Sequence, residues 1–404
     1  MNIVVFASDS KGVASVKNIV KELQNTTHNY FFLYSEETQL QYPTMGLDNF
    51  SYDSNVKEQQ WMNIWSDTLN VSLPFIPDVL LIQRDCWQPE QNIIHEFKVK
   101  WQAKVAMVEV NSHLVNNPET ILEMHSRKNY PQNQIDLCFE HSTFTRQERS
   151  KAGFDVSRSV VTGNPKYDNL LKIDVQHCYD KYGIDRNKTQ ILFYSLINTS
   201  RDEMFKCLSN LVDKVDSSKY EIFYKPYPGE PFHEKFRNQF NPFIYPTVKV
   251  IYDDIDIYPM AKICDVHVGA ISSIMHFPLL LNKRIVNINN ICTYLDSAAS
   301  VEKYLSETSV GIEDSAKFWM RVHDLKSYDD FINLLDIDRV ASYSQDIDKF
   351  LSVIKRTTLD YDFNLNFLNE AMPDTTELLK LFDDHNDFQA SKRIIKELEI
   401  FASV

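Results

Sequence analysis

The mostly apolar run Val266–Ile271 stops abruptly at Ser272-Ser273, and a helical pattern follows. Two hydroxyls and two backbone N–H groups then sit where a helix begins. Unpaired amides and the positive end of the helix dipole make such a turn an anion site. Serine is also a common helix cap, so the pair alone does not decide between a cap and a phosphate cradle. His276 lies one turn further along the same helix face. Acids and a second histidine follow two other apolar runs. Asp85 comes after Val79–Ile82, and Glu109 and His113 come after Val105–Val108.

Composition narrows the chemistry. The 404 residues, 43% hydrophobic and 24% charged, fit a globular chain of two domains or one large one. No apolar run approaches the roughly 20 residues that span a bilayer. The opening MNIVVFASDSKG reads as a first buried strand rather than a leader, so a cytoplasmic location is expected. A net charge of −14 disfavours broad, nonspecific binding to nucleic acid, although a local basic groove is compatible with it. The six cysteines are scattered, without zinc spacing, and read as small buried residues in a reducing compartment. With only eight glycines there is no Gly-rich phosphate loop. Phosphates would be held by Ser, Asn, Lys and helix ends.

Positioning these groups requires strands that deliver them to one edge. Apolar segments at Asn2–Ala7, Asn29–Tyr34, Val79–Gln83, Lys104–Glu109, Leu137–Glu140 and Val160–Thr162 form one series. Gln190–Tyr194, Glu221–Tyr224, Val248–Ile251, Val266–Val268 and Arg284–Ile288 form a second. Helical patterns such as Val13–Gln24 and Arg201–Val215 lie between them. Alternating strands and helices predict parallel sheets covered on both faces, here two doubly wound α/β domains. The boundary is expected near Gly163–Asp174, giving domains at 1–165 and 166–340 and a helical extension at 341–404. In that extension Ser327–Leu335, Ser344–Lys355 and Asp374–Phe401 read as helices, the last with an Asp cap. Asp383-Asp384-His385-Asn386-Asp387 reads as a solvated loop.

Four motifs then fall into a recognisable order: VTGNPKYDNLL at Val161–Leu171, ILFYSLINTSRDE at Ile191–Glu203, YKPYPGEP at Tyr224–Pro231, and the Ser-Ser segment. The series resembles the GT-B fold of nucleotide-sugar enzymes over roughly residues 1–340. It is similar to the CDP-glycerol:polyol-phosphate transferases and to the non-hydrolysing UDP-N-acetylglucosamine 2-epimerases. The resemblance implies two Rossmann-like domains facing across a cleft, with donor phosphates on the second. Ser195, Asn198, Thr199, Arg201, Lys225, Tyr227, Ser272, Ser273 and His276 would then line the donor site. Asp85 and Glu109 match the placement of two acids in the epimerases, whose motif resembles AMVEVNSHL here. One of Asp85, Glu109 or His113 would serve as the base, since desolvation raises an acid's pKa and a histidine needs less tuning. Glu109 has a plainer alternative, capping a helix or pairing with Arg84. The chain departs from the transferases at Tyr227, where they carry histidine, and at Gly269-Ala270-Ile271, where they prefer Asp-Tyr; both departures weaken CDP-glycerol as the donor.

The leading expectation is therefore a metal-independent transferase. It would move a sugar or polyol phosphate from a nucleotide-activated donor to a hydroxyl of a polysaccharide, polyol-phosphate or DNA acceptor. No cofactor is expected beyond the nucleotide sugar as co-substrate, and the acids of Asp253–Asp256 are expected to cap a helix rather than hold a metal. The alternatives are a UDP-sugar 2-epimerase, a phage-type glycosyltransferase acting on a modified DNA base, and a non-catalytic GT-B module. For the DNA reading, Lys98, Lys100, Lys104, Arg146, Arg149 and Lys151 could furnish a basic groove.

Overall fold

The structure is a computed structural model that describes residues 1–8, 10–34, 59–61, 73–109, 118–195, 201–226, 247–251, 257–269, 276–287 and 376–403. Seven parallel strands form the first sheet: β1 (Asn2–Ala7), β2 (Asn29–Tyr34), β3 (Gln59–Trp61), β4 (Val79–Ile82), β5 (Lys104–Val108), β6 (Leu137–Glu140) and β7 (Ser159–Val161). Their order is β3-β2-β1-β4-β5-β6-β7. The helices between them include α1 (Ser10–Leu23), α2 (Gln88–Lys100), α3 (Pro118–Asn129) and α4 (Thr143–Ala152). Five parallel strands form the second sheet: β8 (Thr189–Tyr194), β9 (Tyr220–Lys225), β10 (Val248–Val250), β11 (Val266–Gly269) and β12 (Arg284–Asn287), in the order β10-β9-β8-β11-β12. Its helices include α5 (Gln176–Tyr182), α6 (Arg201–Lys214), α7 (Ile257–Ile263) and α8 (His276–Leu280).

Alternation along each strand sends side chains to opposite faces, and both faces are dry, as parallel sheets require. Ile3, Val5, Val79, Leu81, Ala106 and Val108 pack on one side with Val16, Ile19 and Leu23 of α1. Val4, Phe6, Leu80, Ile82, Val105 and Met107 pack on the other with Ile93, Ile94 and Phe97 of α2. The strand order reverses around β1 in the first sheet and around β8 in the second. At such switch points the two neighbouring βα connections leave on opposite faces and open a crevice beyond the strand ends. Sequence reasoning placed these strands closely. It missed β3, whose Gln-Gln-Trp carries little apolar signal.

The chain ends by returning to the first sheet. The expected helix Asp374–Phe401 is two helices, α9 (Thr376–Phe382) and α10 (Ala390–Ser403). Ile394, Ile395 and Leu398 of α10 join the core cluster of α1 and β1. The break comes at the acidic segment, and the solvated-loop expectation fails for its first residue. Asp383 is buried and accepts the backbone N–H groups of Asn164, His385 and Asn386. Asp168 receives the first amides of α10, Ala390 N at 2.9 Å and Ser391 N at 2.6 Å, supplying acceptors that the helix start lacks. Arg393 donates to the Thr162 carbonyl at 2.7 Å and pairs with Asp387. The VTGNPKYD motif is thus the seat on which the C-terminal segment docks. The expected helices at Ser327–Leu335 and Ser344–Lys355 lie outside the described residues.

Gly163 is fixed by that docking. Its φ is +85°, and a Cβ there would fall 2.8 Å from Asp383 Oδ1. Gly163→Ala is expected to cost about 1–3 kcal/mol through left-handed strain and displacement of Asp383, seen as a lower urea midpoint. An unchanged midpoint would show that the docking tolerates a side chain at this position.

Candidate functional site

The carboxyl ends of β4, β5 and β6 deliver three acids toward one region. Asp85 follows β4, Glu109 follows β5 directly, and Glu140 closes β6. Helix α3 adds Glu123 and Arg127, one turn apart, and α4 adds Arg149. Arg149 is only 2% exposed and is the hub. Its Nη1 lies 2.7 Å from Glu109 Oε2, its Nη2 2.9 Å from Glu123 Oε1, and its Nε 3.1 Å from Glu140 Oε1. Arg127 reaches Glu123 Oε1 at 3.1 Å and Asp85 Oδ2 at 2.8 Å. Phe154 lies under both guanidinium groups, with centroid distances of 4.7 Å to Arg127 and 4.3 Å to Arg149. Burying so many charges is costly unless each is paired, and Arg149's planar fork is suited to serving several carboxylates at once.

Asp85 is the exception within this set. It is 1% exposed, yet neither carboxylate oxygen has a hydrogen-bond donor. Arg127 is close enough for an ion pair with Oδ2 but is not aligned to donate. Burial pushes the Asp85 pKa up to about 6, opposed by the Arg127 charge and reinforced by Glu123. Glu140 is also raised, chiefly by burial against the pull of Arg149. A carboxylate poised near 6 can take or return a proton close to neutral pH.

Four carboxylates face two guanidinium groups here, which leaves the cluster acidic. Glu109, Cys138 and Glu140 are close enough together to ligate a cation. Arg149 already occupies both of those acids, and burial pushes the Cys138 thiol up, away from the thiolate a metal needs.

Beside this cluster, the β1 and β4 ends share a second buried network. Ser8 donates to Glu90, and Gln83 Nε2 donates to both Ser8 and Glu90. Arg84 lies 3.8 Å from Glu90 and stacks on Trp87 at 3.9 Å. The expected alternative of a Glu109–Arg84 pair is therefore corrected: Glu109 pairs with Arg149, and Arg84 lies by Glu90.

On the second sheet, Ser195 and Lys225 sit side by side at the ends of β8 and β9, each 7% exposed, with Ser195 N donating to Lys225 O at 2.9 Å. Arg201 opens α6 and His276 opens α8. His113, Asn198, Thr199, Tyr227, Ser272 and Ser273 lie outside the described residues. Another histidine, His267 in β11, is structural. Burial lowers its pKa to about 3, its Nδ1 accepts from Tyr194 Oη at 2.8 Å, and its Nε2 faces the Cys264 carbonyl.

Sequence reasoning did not single out Glu123, Arg127 or Glu140, and it read Arg149 as an exposed side chain available to a basic groove in the DNA alternative. The structure corrects that assignment. Arg149 is buried, Lys98 pairs with Asp136, Lys100 with Glu96 and Lys151 with Glu148, and Lys104 and Arg146 donate to backbone carbonyls. The one signal available beforehand was the Glu123–Arg127 spacing, which on a helix brings the two side chains together.

No family model matches the sequence, and no curated protein matches it closely enough to establish kinship. Solved structures do match. UDP-GlcNAc 2-epimerase from Neisseria meningitidis, bound to UDP-GlcNAc, aligns with a TM-score of 0.57 at 13% identity, over 98% of this chain and 99% of its own. The S. aureus MnaA–UDP structure aligns with a TM-score of 0.57 at 16% identity, over 100% and 97%. The wall teichoic acid polymerase TagF aligns with a TM-score of 0.50 at 16% identity, over 99% and 89%. The chain thus has the GT-B fold, the α/β architecture expected from its motifs. Its structural neighbours include the two groups that the motifs resemble, UDP-GlcNAc 2-epimerases and a wall teichoic acid polymerase. Among the described residues no helix is long and apolar enough to cross a membrane.

Asp85 gives this site a measurable signature. With its folded pKa raised from 3.8 to about 6, its contribution to stability is full below about 3.8 and is lost as pH rises through 6. In Arg127→Gln the lowering charge is gone, so the Asp85 carboxyl is expected to titrate higher still in a ¹³C NMR pH series. A midpoint unmoved by Arg127→Gln would mean that the pair does not hold in solution.

Proposed function

We propose that this chain is an enzyme acting on a nucleotide-activated sugar, with proton transfer at Asp85 and phosphate binding at the ends of β8 and β9. The observation that carries this reading is the buried Asp85 carboxylate, ion-paired with Arg127 but without an aligned hydrogen-bond donor, beside the first sheet's switch point. An acidic, poorly solvated cluster repels phosphate, so it suits the neutral sugar or hydroxyl part of a substrate. The donor phosphates belong instead near Lys225 and Ser195, with Ser272, Ser273, Asn198, Thr199, Arg201, Tyr227 and His276 as further donor-site candidates.

In the transferase reading, Asp85 deprotonates the acceptor hydroxyl while Lys225 and the hydroxyls stabilise the departing nucleotide phosphate. Glu109 and His113 are the other candidates for the base. No metal enters this scheme; cationic side chains and amides carry the leaving-group charge. A polysaccharide or polyol acceptor fits the acidic site better than DNA does, because Arg149 is buried among carboxylates instead of facing a groove.

A second reading, UDP-sugar 2-epimerisation, is favoured by the grouping of Asp85, Glu109 and Glu123. Inverting a carbon centre removes a proton from one face and returns one to the other, which calls for more than a single acid. The matches to two UDP-GlcNAc 2-epimerase structures over nearly the whole chain support the same reading.

Incubation with UDP-GlcNAc in D₂O, followed by ¹H NMR, separates the two. Epimerisation gives the 2-epimer and deuterium at C2 without any acceptor; a transferase releases UDP only when an acceptor is added. In either case Asp85→Asn is expected to lower turnover by at least 100-fold, the range of general acid–base catalysis. A thermal-shift panel of UDP, CDP, GDP, ADP and CMP supplies the nucleotide identity, since a ligand of the folded state must stabilise it. No shift with any of them would contradict the proposal.

A further inference from the structure

Glu109 is held at three points, and one of them leads out of the site. Its N–H donates to the Phe139 carbonyl at 3.0 Å, which extends the β5–β6 ladder, and its carboxylate meets Arg149. Its carbonyl accepts from Nε2 of His141. His141 directly follows β6 and is 1% exposed. Because a carbonyl can only accept, Nε2 carries the ring hydrogen and Nδ1 is left as an acceptor. Asn164 Nδ2 donates to that Nδ1 at 3.3 Å.

Asn164 belongs to the VTGN motif, in the connection between the two sheets. Its own position is set from outside the first sheet. Its N–H donates to Asp383 Oδ2 at 3.0 Å, and its Oδ1 accepts from Lys166 N at 3.0 Å. With Oδ1 committed there, the amide group presents Nδ2 to the imidazole. The neighbouring Pro165 carbonyl accepts from Asn18 of α1 at 2.8 Å. A continuous run of directed bonds therefore joins the docked C-terminal segment, the inter-sheet connection, the imidazole and the backbone of Glu109.

We propose that His141 is a positioning residue that couples the inter-sheet connection to Glu109. When Asn164 is seated, the imidazole is locked in one tautomer and holds the Glu109 carbonyl. When Asn164 shifts, the imidazole loses the Asn164 amide and with it the alignment that holds that carbonyl and the set of the acid against Arg149. The ring touches no reacting group; it acts through Glu109. The consequence for turnover rests on the function proposed above, whereas the coupling itself does not.

The test uses the full chain labelled with ¹³C at Glu109 C′ and ¹⁵N at histidine. In the wild type, His141 is expected to show a protonated Nε2 and an unprotonated, hydrogen-bonded Nδ1. Asn164→Ala should move both the Nδ1 signal and the Glu109 carbonyl signal, the latter in the same direction as His141→Ala. His141→Gln, whose amide can donate to Glu109 and accept from Asn164, should leave the carbonyl signal near its wild-type position. A Glu109 signal unmoved in folded Asn164→Ala overturns the proposal, even if His141→Ala fails to fold. For turnover, Asn164→Ala is expected to lower kcat on the order of tenfold, as small misplacements of catalytic groups do, with KM for the nucleotide sugar unchanged. A raised KM with unchanged kcat would overturn it. If the wild type turns over no nucleotide sugar, the function reading fails and the carbonyl signal still decides the coupling.

Discussion

The buried guanidinium of Arg149 is the interaction on which the carboxyl edge of the first sheet depends. Glu109, Glu123 and Glu140 come from a strand end, a helix and a neighbouring strand end, and none could remain ionised in the interior without a shared cation. Removing one partner from such a set leaves uncompensated charge, which costs about 3–5 kcal/mol. The cluster therefore fixes α3 and α4 against β5 and β6 electrostatically as much as by packing. Glu109, Glu123 and Glu140 each hold a nitrogen of Arg149, and Asp85 stands apart with neither oxygen given an aligned donor. The raised pKa of Asp85 follows from uneven pairing within one buried network.

The fold supplies the two edges and the link between them. Strand-order reversals around β1 and β8 set the crevices, and the VTGN connection with the returning C-terminal helix joins the sheets. That connection is built from close contacts rather than a slack linker. Gly163 has no room for a side chain, Asp168 and Asp383 each accept backbone amides, and Asn164 reaches back to His141 at the end of β6.

Much of this was legible in the sequence because parallel strands buried on both faces must be nearly continuous apolar runs. Asn2–Ala7, Asn29–Tyr34 and Leu137–Glu140 stand out for that reason and coincide with β1, β2 and β6. Asp85 and Glu109 were visible as acids directly beyond such runs. Arg149 was not, because a lone arginine in a polar helical pattern reads as exposed, and only tertiary contact reveals its burial. Glu123 and Arg127 read as an ordinary helical ion pair for the same reason. The break between α9 and α10 was hidden because Asp383 looks like a solvated acid until Asn164 is brought to it. Motif order located the fold; the partners of each charge had to come from the structure.

The central claim is a division of labour: nucleotide phosphate at the ends of β8 and β9, proton transfer at Asp85 on the first sheet. Calorimetric titration of UDP and CDP into the wild type, Lys225→Ala and Asp85→Asn tests it most directly. The division requires Lys225→Ala to weaken binding of the preferred nucleotide at least tenfold, about 1.4 kcal/mol, while Asp85→Asn leaves its affinity within about twofold of wild type, under 0.5 kcal/mol. Undiminished binding by Lys225→Ala, or its loss in a folded Asp85→Asn, would contradict the account.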